Sequence, residues 1–240
     1  DSTARDIPRF VGSVPGDVRV IPWGVDPAVF HPLAEEQIAG VLSRHGVARP
    51  YILSLDVFNP RKNFLAALEG VARLSEELRT SLTVVGVGVP RKTATGTAVQ
   101  ARADVLGLSG RLCLVGDVRP ADLAALYSGA LALVYPSIYE GFGMPVLEAM
   151  ASGCPVITAD RSSLPEVAGG AALLVDPSDP GQLTRAVALV STDQGERARL
   201  VAAGRMRAAG FTWRRTAEEM VAVFERALAA HPGWTGRWAR

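Results

Sequence analysis

The stretch IYEGFGMPVLEAMASGCPV, residues 138–156, places Glu140 and Glu148 in a segment that is otherwise apolar and rich in glycine. A carboxylate is a strong acceptor for hydroxyl donors, so two of them flanking a Gly-rich turn suit a ligand with several hydroxyl groups. Pro145 fits the first position of a helix, which puts Glu148 in the first helical turn, where the macrodipole favours a negative charge. For Glu148 alone, a helix-stabilising role is the plain alternative. Gly141 and Gly143 admit a ligand close to the backbone, and the free N–H groups of a helix start suit a phosphate. Glu148 is then placed to bind a vicinal diol such as a ribose, with Glu140 reaching further along the same ligand. The pair points to a sugar nucleotide.

A second stretch, NPRKNFLAALEGVARL at 59–74, sets Arg61, Lys62 and Asn63 ahead of a helical pattern. Two cations at a helix N-terminus oppose the dipole, which makes sense if an anion sits between them. A solvated basic turn is the plain alternative.

The elements that must position these residues alternate along the chain. Apolar, β-branched runs at 18–21, 51–55, 82–88, 111–115, 131–135, 155–158 and 172–176 predict strands. Helical patterns at 63–79, 94–106, 120–128, 145–152, 179–191 and 194–209 separate most of them. Strands apolar throughout, with helices between, predict one doubly wound α/β domain with a parallel sheet covered on both faces. Ligands in such sheets bind at the carboxyl ends of the strands, where both motifs fall. The first 14 residues and the tail 231–240, with Trp234 and Trp238, read as material flanking a domain at 15–230. The tail is either frayed or covered by a neighbouring domain.

The 240 residues, 48% of them hydrophobic, suffice for a full core, and a net charge of +1 gives no basic excess to drive nucleic-acid binding. Cys113 and Cys154 lack redox or zinc spacing and read as small core residues in a reducing compartment. No apolar run reaches membrane length and the N-terminus does not read as a signal peptide, so a cytoplasmic location is expected. Arg91 stands where a dinucleotide fingerprint after Gly86 and Gly88 needs its third glycine. His31, His45 and His231 are scattered, and no D-x-D pair offers a divalent-ion site, so no metal is expected. Lys62 and Lys92 are the only lysines available for a pyridoxal Schiff base.

The motif YEGFGMPVLEAMASGCPVI resembles the E-x7-E signature of the retaining glycosyltransferases of family 4, which have the GT-B fold. The likeness extends over nearly the whole chain. VRVIPWGVDPAVF (18–30) is similar to the opening strand of that family's C-terminal, donor-binding domain, and LSLDVFNPRKN (53–63) to its diphosphate-binding turn. LCLVGDV (112–118) is similar to the base-binding loop, and SSLPEVAGGAALLVDP (162–177) looks like mannosyltransferases of the group. The resemblance implies a Rossmann-like half of a GT-B fold that binds a nucleotide-diphosphate sugar without metal or other cofactor. Glu148 would bind the ribose hydroxyls and Lys62 the diphosphate, with Arg61 in support. Glu140 would contact the transferred sugar, beside Phe142, Gly143, Met144 and Pro145, and the backbone at Val118 would meet the base. Mannose transfer from GDP-mannose to a glycan or lipid-linked acceptor follows from the mannosyltransferase likeness. A non-catalytic nucleotide-sugar-binding module is the alternative.

Two departures stand out. Asp56-Val57 replaces the Gly-Arg of many members, which removes a diphosphate cation unless Arg61 supplies it. Trp23 replaces the usual asparagine. The resemblance also implies an N-terminal acceptor domain outside these residues, which leaves room for peripheral membrane association through that domain. The C-terminal helix would cross back to it.

Overall fold

The structure is a computed structural model and describes residues 2–12, 18–88 and 93–230. The tail with Trp234 and Trp238 therefore lies outside the described residues, as do Lys92 and His231. Six strands form one parallel sheet: β1 (Tyr51–Leu55), β2 (Thr83–Val87), β3 (Leu112–Val115), β4 (Ala132–Tyr135), β5 (Val156–Ala159) and β6 (Leu173–Val175). Their order is β3-β2-β1-β4-β5-β6, so the winding direction reverses between β1 and β4. In register, Tyr51 lies beside Thr83, Val84 beside Leu112, and Ile52 beside Ala132. The doubly wound α/β expectation holds.

Helices cover both faces. On one side stand α2 (Glu35–His45), α6 (Pro120–Gly129), α7 (Met144–Ala151) and α8 (Leu164–Ala168); on the other α3 (Phe64–Ala72), α5 (Ala94–Val105) and α9 (Pro180–Thr192). Successive side chains of a strand point to opposite faces. Accordingly Leu53 and Val85 enter the core under α6 and α7, while Ile52 and Val84 enter the core under α3 and α5. Both faces being buried, every residue of β1, β2, β4 and β5 is buried, and their alternation disappears from the sequence. Asp179 caps α9, and Asp193 caps α10 (Gln194–Ala209) through its bond to the N–H of Glu196 at 2.9 Å.

Three predicted elements differ. The run 18–21 is not a strand. Val18 and Val20 are exposed, and the segment after them is held by the C-terminal part of the chain: Val25 donates to the Phe211 carbonyl at 3.0 Å. The Thr216 hydroxyl donates to the Pro22 carbonyl at 2.8 Å. A short β-branched run looks the same whether it pairs in a sheet or lies extended on a surface. The helix predicted over 63–79 breaks into α3 and a short α4 (Glu76–Ser81), with Ser75 between them. Finally, α7 begins one residue early, at Met144, with Gly143 as its cap.

Two further helices flank the sheet. α1 (Ser2–Val11) lies against the turn after β4, where the Thr3 hydroxyl donates to the Gly141 carbonyl at 3.1 Å and Tyr139 donates to Asp6 at 3.2 Å. α11 (Trp213–Ala230) buries only Thr216. No described helix is long and apolar enough to cross a membrane.

Candidate active site

Both predicted motifs meet at the reversal point, at the carboxyl ends of β1 and β4. After β1 the backbone turns through Asp56, whose φ of 50° lies in the left-handed region, which aspartate tolerates better than most residues. A short 3-10 turn, Pro60–Lys62, follows, capped by the Asn59 side chain, which accepts from the Arg61 N–H at 3.0 Å. The loop after β4 is sewn onto it: the Ile138 N–H donates to the Arg61 carbonyl at 2.9 Å, and Ser137 Oγ lies 3.1 Å from the same carbonyl.

This stitching brings Lys62 and Glu140 together, each only 7% exposed. The Lys62 ammonium donates to Glu140 Oε1 at 2.8 Å, makes a short bond to the Tyr135 hydroxyl, and lies 4.8 Å from the centre of the Tyr135 ring. Asp56 Oδ2 is 3.6 Å from the same ammonium. Glu140 Oε1 also accepts from Tyr135 at 2.9 Å and Ser137 at 2.7 Å, and Oε2 pairs with Arg61 at 3.0 Å. The chain's own Glu140 thus sits between Arg61 and Lys62. Burial pushes the Glu140 carboxyl up, but hydrogen bonds from Lys62, Ser137 and Tyr135 outweigh it and hold the group below its ordinary value. A carboxylate so rich in donors stays ionised.

The glycine turn is fixed as firmly. Gly143 has φ 110°, open to glycine but costly for other residues, and a Cβ there would come within 2.8 Å of Leu164 Cδ2. The Ser163 hydroxyl reaches the carbonyls of Glu140 at 2.9 Å and Phe142 at 2.8 Å, and Ser162 bonds both the N–H and the carbonyl of Glu140. The Phe142 ring packs against Trp23 at 6.1 Å and Phe211 at 6.0 Å between centroids. A cleft of about 730 Å³ opens here, and Lys62, Glu140, Phe142, Gly143, Met144 and Pro145 line it. Thr3, Ala4 and Ile7 of α1 form part of its wall.

Arg61, Glu148 and Val118 are not among the residues lining that cleft. Glu148 lies in the second turn of α7, not the first, because the helix starts at Met144. The dipole reading of Glu148 consequently falls away. Burial raises its carboxyl above the ordinary value, opposed by the Tyr127 hydroxyl of α6, which donates to it at 3.1 Å. Val118 is half-buried on the loop that leads into α6, and Glu148 meets that helix at Tyr127. Tyr127, Tyr135, Ser137, Ser162 and Ser163 escaped the sequence reading. Both tyrosines end or sit within apolar runs and read as core aromatics, and nothing local marks a hydroxyl as bonded to a residue many positions away. The hydroxyl of Tyr135, at the carboxyl end of a predicted strand, was the available signal.

Comparisons with known proteins give a consistent picture. The family model described as "Glycosyl transferases group 1" matches residues 43–207. The MMP alpha-(1->4)-mannosyltransferase of Mycolicibacterium hassiacum is 34% identical over 235 residues, covering 95% of this chain and 53% of that protein. The chain thus spans about half the length of that curated relative. Among solved structures, the sucrose-phosphate synthase of Thermosynechococcus elongatus superposes with a TM-score of 0.81 at 26% identity, over 95% of this chain and 57% of that one. HepE from Anabaena, solved in complex with UDP-glucose, shares the fold at a TM-score of 0.76 and 19% identity, over 87% of this chain and 57% of its own.

Proposed function

Because this chain belongs to the group 1 glycosyl transferases, we propose that it is the donor-binding half of a two-domain GT-B enzyme that transfers a hexose from a nucleotide sugar with retention of configuration. The observation that carries this reading is the convergence of a buried lysine, a buried carboxylate and a glycine-capped helix start on one cleft at the sheet's reversal point. The likeness to a protein named a mannosyltransferase favours mannose, and hence GDP-mannose, as donor. The fold neighbour bound to UDP-glucose supports the broader class, a nucleotide sugar.

In this reading the diphosphate lies over the start of α7, where the backbone at Gly143 and Met144 opens into the cleft. Lys62 and Arg61 neutralise charge growing on the leaving β-phosphate. Loss of one such donor costs about 2.7–4 kcal/mol in comparable sites. Glu140 accepts from a hydroxyl of the transferred sugar, Glu148 from the ribose diol, and the loop at Val118 contacts the base. No divalent ion is required, because the lysine supplies the positive charge. The acceptor is a glycan or lipid-linked sugar held by the other half.

Titration of GDP, UDP, ADP and GDP-mannose against the chain by calorimetry tests the reading. GDP and GDP-mannose are expected to bind, and Glu140→Gln to weaken GDP-mannose more than GDP. Failure of all four ligands to bind would refute a donor site. Equal losses would move Glu140 from the sugar to the nucleotide.

A further inference from the structure

Glu140 has four side-chain donors around one carboxylate, and they fall into two kinds. Lys62 and Arg61 are charged; Tyr135 and Ser137 are neutral. On the reading above, a donor's diphosphate draws both cations toward itself. A carboxylate only 7% exposed that loses its charge partners tends to take up a proton. A protonated Glu140 would be a poor acceptor for a sugar hydroxyl.

We propose that Tyr135 and Ser137 are positioning residues that keep Glu140 ionised and oriented while Lys62 and Arg61 turn to the diphosphate. This inference rests on the donor-site reading of the cleft. The proton inventory supports it. An ammonium only donates, so in the Lys62–Tyr135 contact the phenol oxygen accepts and its single proton goes to Glu140. That bond remains whichever partner Lys62 takes. Ser137 has one hydroxyl proton and three acceptors in reach: Glu140 Oε1 at 2.7 Å, the Arg61 carbonyl at 3.1 Å and the Tyr139 carbonyl at 3.3 Å. The shortest contact is the one to the carboxylate. Tyr135 ends β4, so a rigid central strand sets its donor, and Ser137 follows two residues later at the start of the loop. The charged groups facing Glu140 are Lys62 and Arg61, with Asp56 behind Lys62; from α1, Asp6 bonds the neighbouring Tyr139, and Arg5 pairs with Glu166.

The test is proton linkage. GDP-mannose, and UDP-glucose as a second probe, carry no phosphate group that titrates near neutral pH. Binding to the full chain is measured by calorimetry at mildly acidic pH, in two buffers of different ionisation heat. For the parent, the two buffers should agree and show no proton uptake. Tyr135→Phe and Ser137→Ala should each bind about tenfold more weakly, the order expected for one hydrogen bond to a charged group. Both should also take up a fraction of a proton, which disappears when Glu140→Gln is added. Removing a merely structural contact would weaken binding without proton uptake, and that result overturns the inference. So does unchanged affinity. If Tyr135→Phe does not fold, Ser137→Ala carries the same test. A parent chain that binds neither sugar nucleotide sinks the donor-site reading itself, which is a different outcome.

Discussion

The two glutamates are tuned in opposite directions, and the difference is measurable residue by residue. Glu140, held low by its donors, contributes stability that is present above the unfolded carboxyl value and is lost as pH falls through its lowered folded value. Glu148, raised by burial, does the reverse: its contribution is present below the unfolded value and is lost as pH rises through the folded one. At neutral pH, Glu148→Gln should therefore raise the melting temperature and Glu140→Gln should lower it. Thermal melts of both variants, with and without acidification, check the pair, and shifts of the same sign would contradict it. On the proposed donor-site reading, Glu148→Ala should weaken nucleoside diphosphate affinity by about 1.5–3 kcal/mol. Unchanged affinity would leave Glu148 with no role in the diol. Lys62→Met removes one of two charge partners of a buried carboxylate and should destabilise the fold by less than the roughly 3–5 kcal/mol of a fully stranded charge, read by urea denaturation. The same variant should bind GDP more weakly, while a chelator leaves the parent's binding intact. A requirement for magnesium would overturn the lysine's assignment.

At the scale of elements, what matters is how the loops after β1 and β4 are locked before any ligand arrives. Gly143 is the pivot. It ends the glycine turn, caps α7 and faces Leu164 too closely for a side chain. Gly143→Ala should cost about 1–3 kcal/mol for the strained backbone and shift the start of α7. Phosphate-bearing ligands should then lose affinity by more than the loss of stability explains, which calorimetry and a chemical melt on the same variant would show. An alanine variant with parent-like binding would mean that the helix start does not contact the ligand. These element positions were largely legible. Five of the six strands lie within predicted runs and β5 extends one residue past its own, because a sheet buried on both faces favours apolar residues along each strand. The extended run 18–21 carried the same signal and is not a strand; the residues after it, Pro22 and Val25, bond to Thr216 and Phe211 in the C-terminal part of the chain.

At the scale of the whole molecule, the described residues leave an apolar stripe uncovered on α11. Trp213, Met220, Val221, Phe224 and Leu228 recur at helical spacing and are all exposed, Phe224 by 58%. Trp23, 53% exposed, extends it toward the cleft through its contact with Trp213 at 6.4 Å. Such a surface, on a chain spanning about half the length of its relative, is where the proposed acceptor domain would pack. Phe224→Glu should leave nucleotide binding unchanged and weaken association with that domain. The 240 residues alone should bind donor without transferring sugar, because the proximity contribution, up to about 7–11 kcal/mol, needs a second wall to hold the acceptor. Robust turnover by the isolated chain would refute this.

The sequence by itself determined the sheet, several of the helices around it, though not α2 or α8, and the residues worth suspecting: Glu140, Glu148, Lys62 and Arg61 were all identifiable from residue type and local spacing. Burial pattern and turn chemistry are local properties, and local properties are written along the chain. Only the tertiary structure decided which of those residues meet. It closed Glu140 onto Lys62 and Arg61, 78 and 79 positions away, and set Glu148 apart at the α6–α7 seam. It also revealed Tyr135 and Ser137 as donors to the same carboxylate. A hydrogen bond between loops distant in the chain depends on strand order and register, and those depend on every element packing at once.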